Sequence, residues 1–143
     1  MSALHPLSVH FPIALAILWP VIDAIGLKLG RADISNTAVV LLVIGLGASL
    51  LSTMSGQAAY DDAIRAGHTP EVLGIHADVA SLVPWLLLGV TAIRTAGVHK
   101  AGKRAHVVAI IAGLVVAGVV GLVGLTGGQL VYQHGVGIQR KSS

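Results

Sequence analysis

Four long apolar segments, separated by short polar stretches, dominate the chain. They run over about residues 7–29, 36–60, 74–94 and 106–132. As helices that rise about 1.5 Å per residue, such segments match the ~30 Å hydrocarbon core of a bilayer. The pattern predicts an all-α protein: an integral membrane four-helix bundle with up-down-up-down topology, formed by a single domain over residues 1–143.

The composition supports a membrane protein and excludes several kinds of site. Only 10% of the residues are charged and 55% are hydrophobic, whereas soluble domains carry about 25% charged residues. The chain has no cysteine, which excludes disulfides, iron–sulfur clusters and thiolate metal sites. The net charge is +3, but no basic helix or aromatic platform accompanies it. We therefore expect no nucleic-acid partner.

Basic residues are unevenly divided between the two ends of the predicted bundle. The loops at 28–36 and 94–105 hold Lys28, Arg31, Arg94, Lys100, Lys103 and Arg104, whereas the other end holds Arg65, Arg140 and Lys141. Basic loops stay on the cytoplasmic side of a membrane. The distribution predicts a multi-pass protein with both termini in the periplasm.

The starts of the first and third segments repeat a short pattern. Val9-His10-Phe11-Pro12 in the first segment matches Ile75-His76-Ala77-Asp78 in the third, and a tryptophan follows each histidine nine residues later, at Trp19 and Trp85. This match predicts that the first and third segments begin two copies of one hairpin.

The second and fourth segments also resemble each other. Segment two ends Ser-Gly-Gln-Ala-Ala-Tyr60 and segment four ends Gly-Gly-Gln-Leu-Val-Tyr132. Aligning these ends superposes two stripes of small residues, Gly45, Ser49, Ser52 and Gly56 on Ala117, Gly121, Gly124 and Gly128. We predict two tandem hairpin repeats related by a pseudo two-fold axis along the membrane normal.

Such a two-fold axis brings His10 and His76 face to face near the periplasmic surface. The returning ends of segments two and four add Gln57, Gln129, Tyr60 and Tyr132 to the same mouth. Ionisable residues inside membrane spans are functional candidates by default, and two neutral imidazoles suit the axial positions of haem iron. Because iron with two histidine ligands has no open position, the pattern favours a b-type cytochrome-like electron carrier over a catalyst.

Other ligand sets use two further histidines at the same end, His5 and His134. A second haem, or a copper or zinc ion, would combine them with His10 or His76. His5 on its own is typical of a solvated terminus, and His134 is as readily a turn residue as a ligand. A third interpretation is a cofactor-free assembly subunit that packs through its glycine faces.

The remaining polar candidates have plainer interpretations. We expect His68, His99 and His106 to be solvated, and Asp23 to make a structural hydrogen bond between helices. We expect Trp19 and Trp85 to pack in the core, and Ser35 or Asn36 to cap the second helix.

The two ends of the chain resemble a known family. His5-Pro6 with Val9-His10-Phe11-Pro12-Ile13-Ala14-Leu15, and the closing Gly127-Gly128-Gln129-Leu130-Val131-Tyr132-Gln133-His134-Gly135-Val136-Gly137, are similar to short bacterial four-span membrane proteins known only as a domain of unknown function. The resemblance covers nearly the whole chain. It implies a bacterial inner-membrane protein in which positions matching His5, His10, His76 and His134 recur.

The resemblance implies no activity, so partners are inferred from the proposed chemistry. We expect the lipid bilayer, a quinone and a periplasmic redox protein as partners, and assembly as a homo-dimer or within a larger membrane complex. The architecture also resembles that of four-helix membrane b-type cytochromes, but a fold does not fix a function.

Overall fold

The computed structural model describes residues 4–96 and 102–138, which form four long helices. These are α1 (Leu4–Leu29), α2 (Ala32–Arg65), α3 (Pro70–Ala96) and α4 (Gly102–Tyr132). All four are long and apolar enough to cross a membrane, over Ser8–Leu29 in α1 and over the full length of the others. The predicted all-α architecture of four apolar helices is confirmed.

The helices form a ring in which each packs against two neighbours. α1 contacts α2, α2 contacts α3, α3 contacts α4, and α4 returns to α1. The start of α1 meets the end of α2 through His5 and Ser55, so consecutive helices run in opposite directions. α1 and α3 are therefore parallel and lie diagonally across the ring, where Arg94 of α3 reaches Asp23 of α1.

The core lies along the middle of this ring. Its buried residues come from all four helices: Ala16, Trp19, Leu42, Leu87, Val90, Val116 and Val120. Trp19 lies there as predicted, but Trp85 is 71% exposed, so its predicted core position is wrong. Trp85 lies one position along α3 from the buried Pro84, and neighbouring residues on a helix point about 100° apart.

The turn between α1 and α2 is tighter than predicted. Gly30 has φ +64°, a conformation that glycine adopts without strain, and α2 begins at Ala32 without a side-chain cap. Ser35 is buried inside the helix, so the predicted cap at Ser35 or Asn36 is wrong. At the other end of α2, Gly67 has φ +95° and follows the last helical residue Arg65, as expected for a helix stop.

The two stripes of small residues do not occupy equivalent faces. Gly45, Ser49 and Ser52 on α2 are buried, but their aligned partners Gly121 and Gly124 on α4 are exposed. The buried face of α4 instead holds Ala109, Ile110, Gly113, Val116 and Val120. The two stripes that align in the sequence therefore do not share a buried face in the structure.

Candidate functional site

His10 does not face the interior of the bundle. Its side chain lies on the exposed face of α1, and its Nδ1 donates a hydrogen bond to the carbonyl oxygen of Pro6, one turn earlier, at 2.6 Å. The prediction that His10 and His76 face each other inside the bundle is therefore wrong. His5 and His10 lie five residues apart, which places them about 140° apart around the helix, and the inward position belongs to His5.

His5 lies between α1 and the end of α2. Its Nδ1 is 3.0 Å from the hydroxyl oxygen of Ser55, and its ring rests on Gly56. A Cβ atom at Gly56 would approach His5 Cε1 to 3.0 Å, so glycine gives the imidazole the space to lie against the helix backbone. The predicted solvated position of His5 is wrong, because the residue is half-buried in a helix–helix contact.

His76 lies in the same kind of contact between α3 and α4. Its Nδ1 is 3.1 Å from the hydroxyl oxygen of Thr126, and a Cβ atom at Gly127 would approach His76 Cε1 to 3.0 Å. The two histidine–hydroxyl pairs have the same chain separation of 50 residues. A histidine, a hydroxyl and a following glycine thus recur in both hairpins.

The hydroxyl partners offer both histidines the same arrangement at Nδ1. Ser55 donates its hydroxyl hydrogen to the carbonyl oxygen of Ser52 at 2.9 Å, and Thr126 donates to Val123 at 3.1 Å. Each hydroxyl oxygen can then accept a hydrogen bond from Nδ1–H of its histidine. The hydrogen of each neutral ring is then on Nδ1, and the lone pair of Nε2 is available to a ligand.

The two imidazoles lie close enough to influence each other. Burial lowers the pKa of His5, which precedes the membrane-spanning part of α1, and the charge of a protonated His76 lowers it further. Both effects favour the neutral ring. A pair of neutral imidazoles is the form of histidine that binds metals.

The other residues predicted to lie at this end of the bundle do not gather around His5 and His76. Tyr132 is 89% exposed, Gln57 is exposed and donates a hydrogen bond to Asp61 at 3.2 Å, and Gln129 and His134 are also exposed. Tyr60 is half-buried. Over residues 4–96 and 102–138, no three His, Asp or Glu side chains are grouped as ligands for a metal ion.

A second polar cluster lies at the opposite end of the bundle. The guanidinium of Arg94 donates two hydrogen bonds to the carboxylate of Asp23, at 2.7 Å from Nε and 3.1 Å from Nη2. Nε2 of His106 lies 2.8 Å from the same carboxylate. Asp23 is 0% exposed and Arg94 is 5% exposed, so this ion pair joins α1 to α3 inside the protein, and His106 adds α4.

The predicted interhelical bond of Asp23 is confirmed, but its partners were assigned to other roles. Arg94 was placed in a basic loop and His106 was expected to be solvated. The sequence offers one signal of the Asp23–Arg94 pairing. The two residues are 71 positions apart, and the same separation relates His5 to His76. His99 lies outside the described residues, and His68 is half-buried beside the α2–α3 turn.

Comparison with known proteins supports the architecture. A family model described as "Predicted membrane protein (DUF2231)" matches residues 1–140. The chain belongs to this family. Searches of curated proteins and of solved structures found no match. The description of this family agrees with the four apolar helices and names no activity.

Proposed function

We propose that this DUF2231 protein holds a b-type haem between Nε2 of His5 and Nε2 of His76 and acts as an electron carrier. The observation behind the proposal is the matched pair of half-buried imidazoles, His5 and His76, each with its Nδ1 within hydrogen-bond distance of a hydroxyl oxygen. Histidines that bind metals commonly donate their other ring N–H to a neighbouring group, which fixes the ring orientation. Bound haem would supply one-electron chemistry at iron.

The donor set favours haem over a bare ion. Zinc takes four protein ligands in structural sites and three in catalytic sites, whereas haem iron needs only axial ligands from the protein. The described residues offer two half-buried imidazoles at this end of the bundle and no group of three ligands. Copper or zinc bound by His5, His76 and a residue such as His10 or His134 is the alternative, and it would require His10 or His134 to move inward.

We further propose that the two hairpins are copies related by a shift of 71 residues. This shift superposes His5 on His76, Ser55 on Thr126 and Gly56 on Gly127. It also superposes buried positions on buried positions, namely Ala38 on Ala109, Leu42 on Gly113, Gly45 on Val116, Ser49 on Val120, Ala16 on Leu87 and Trp19 on Val90. In this register the paired imidazoles are symmetry mates about an axis along the membrane normal.

The distribution of basic residues sets the proposed orientation. With the loops around Arg31 and Lys103 in the bacterial cytoplasm, the His5–His76 pair lies near the periplasmic face of the inner membrane. A haem there would accept electrons from a membrane quinol and pass them to a periplasmic redox protein. Without a haem or a metal ion, the remaining role is that of a cofactor-free assembly subunit.

The visible spectrum of the purified protein tests the proposal. We expect a dithionite-reduced band of b-type haem, and we expect His5→Ala and His76→Ala each to lose most of it. His10→Ala is the matched control, because His10 lies on the same helix with its ring outside the bundle, and it should keep the haem. Ser55→Ala and Thr126→Val should keep haem but shift its reduction potential, since they remove only the partner of Nδ1.

Two results would contradict haem binding at this pair. In the first, His10→Ala loses the haem band while His5→Ala keeps it and stays monodisperse. That result would make His10, and not His5, the haem ligand. A protein with no haem band after expression with haem supplied would end the haem assignment. Elemental analysis of that protein would then distinguish bound copper or zinc from a protein without a cofactor.

A further inference from the structure

A groove between α1 and α4 opens at the end of the bundle opposite the paired histidines. Its volume is about 340 Å³, and Ala24, Leu27 and Lys28 of α1 form one wall. The other wall is a row on α4, Lys103, Val107 and Ile111, with Ile110 beside it. The groove thus has two lysines at its mouth and apolar side chains along its length.

The spacing of the lining residues gives the groove a direction. Lys103, Val107 and Ile111 follow one another at four-residue intervals, so they form a row along one face of α4. From Lys103 to Ile111 the helix rises about 12 Å. Because α4 starts at Gly102 and runs into the membrane, the lysines lie at the depth of lipid headgroups and the isoleucines among acyl chains.

Among the described residues, the acidic side chains at this end of the bundle already have basic partners. The six acidic residues are Asp23, Asp33, Asp61, Asp62, Glu71 and Asp78. Only Asp23 and Asp33 belong to this end of the bundle, and they pair with Arg94 and Arg31. No acidic residue follows Asp78. An anion from outside the chain would therefore complement the two ammonium groups of Lys28 and Lys103.

We infer that this groove binds one anionic phospholipid. Its phosphate lies between the ammonium groups of Lys28 and Lys103, and the first part of one acyl chain lies along Leu27, Val107 and Ile111. Basic pockets between membrane helices recognise acidic headgroups in this way. The inference needs neither the haem nor the histidine pair, so each can fail without the other.

Native mass spectrometry of the full chain in detergent tests the inference, with phosphatidylglycerol added. We expect retention of one lipid molecule, and Lys28→Gln with Lys103→Gln should weaken retention about 25-fold, the loss expected for two interfacial lysines. Arg104→Gln is the matched control, because Arg104 is exposed on the same turn of α4 without lining the groove. It should retain the lipid within about twofold of the unchanged protein.

Chemically different probes separate a lipid from other occupants. Phosphatidylcholine should bind at least tenfold more weakly, and inorganic phosphate should not compete at millimolar concentration. Val107→Trp fills the apolar part of the groove and should weaken phosphatidylglycerol binding with both lysines intact. Equal binding of both lipids, full competition by phosphate, or an equal loss in Arg104→Gln would each overturn the inference.

Discussion

Of the two histidines near the start of α1, only His5 lies inside the bundle. His5 and His10 are both near the start of the helix, and both carry a hydrogen bond at Nδ1. Only His5 has a glycine of the neighbouring helix under its ring, at Gly56. The space that Gly56 leaves by having no Cβ therefore accommodates the ring of His5 inside the bundle. The sequence motif around His10 does not provide such a space.

At the same scale, Arg94 is the residue whose loss should damage folding most. Arg94→Met leaves the carboxylate of Asp23 buried without its main partner, at a cost of about 3–5 kcal/mol. The change should lower the unfolding temperature in detergent steeply. Asp23→Leu combined with Arg94→Leu should recover most of the loss, because no charge then stays buried alone.

An exposed ion pair supplies the comparison for this variant. Arg31 and Asp33 are also paired, but both are exposed in the turn between α1 and α2. Arg31→Met should therefore leave the unfolding temperature almost unchanged. If Arg31→Met and Arg94→Met were equally harmful, burial of the Asp23–Arg94 pair would not be the source of its importance.

At the scale of helices, the effect of a glycine on α4 depends on the face of the helix on which it lies. A Cβ atom at Gly113 would lie 2.7 Å from Cη2 of Trp19, so α1 and α4 approach closely only because Gly113 has no side chain. Gly118 has nothing within 4 Å of that position. The absence of a side chain therefore permits a close helix contact at Gly113 but not at Gly118.

Gly113→Ala should destabilise the bundle by about 1–3 kcal/mol, because the indole of Trp19 is buried and cannot move aside without strain. Gly118→Ala should be neutral or stabilising by up to about 1 kcal/mol, since alanine is the better helix former. Unfolding temperatures of the two variants in the same detergent measure the contrast. An equal effect at both positions would mean that Trp19 does not limit the approach of the helices.

The number and extent of the helices could be predicted from the sequence, but their rotation could not. Segment length and hydropathy fix where α1 to α4 lie, and Gly67 marks the end of α2 as expected. In lipid, both faces of a helix are apolar, so hydropathy carries little information about which face is buried. His10, Trp85 and Gly121 were assigned to the interior from motif alignment, and all three are exposed.

At the scale of the whole molecule, the fold does not fix the orientation in the membrane. The distribution of basic residues between the two ends of the bundle predicts it. The α2–α3 turn and the α1–α2 turn lie at opposite ends of the bundle, and both present exposed residues, Thr69 and Ala32. The positive-inside rule places Thr69 outside and Ala32 inside the cell.

Because the chain has no cysteine, single substitutions report this orientation cleanly. Thr69→Cys should react with a membrane-impermeant thiol reagent applied to intact spheroplasts, whereas Ala32→Cys should react only after the membrane is permeabilised. Ala32→Cys is adjacent to the Arg31–Asp33 pair without removing it. The reverse labelling pattern would place the termini and the histidine pair in the cytoplasm.

The buried pair of Asp23 and Arg94 also determines which hairpins can assemble. The two residues meet where α1 and α3 approach each other across the ring. If a first hairpin associated with another first hairpin, two carboxylates would confront each other in a medium that cannot solvate them. Two second hairpins would likewise oppose two guanidinium groups. Opposite charges on the two hairpins therefore disfavour the association of two like hairpins and favour that of unlike ones.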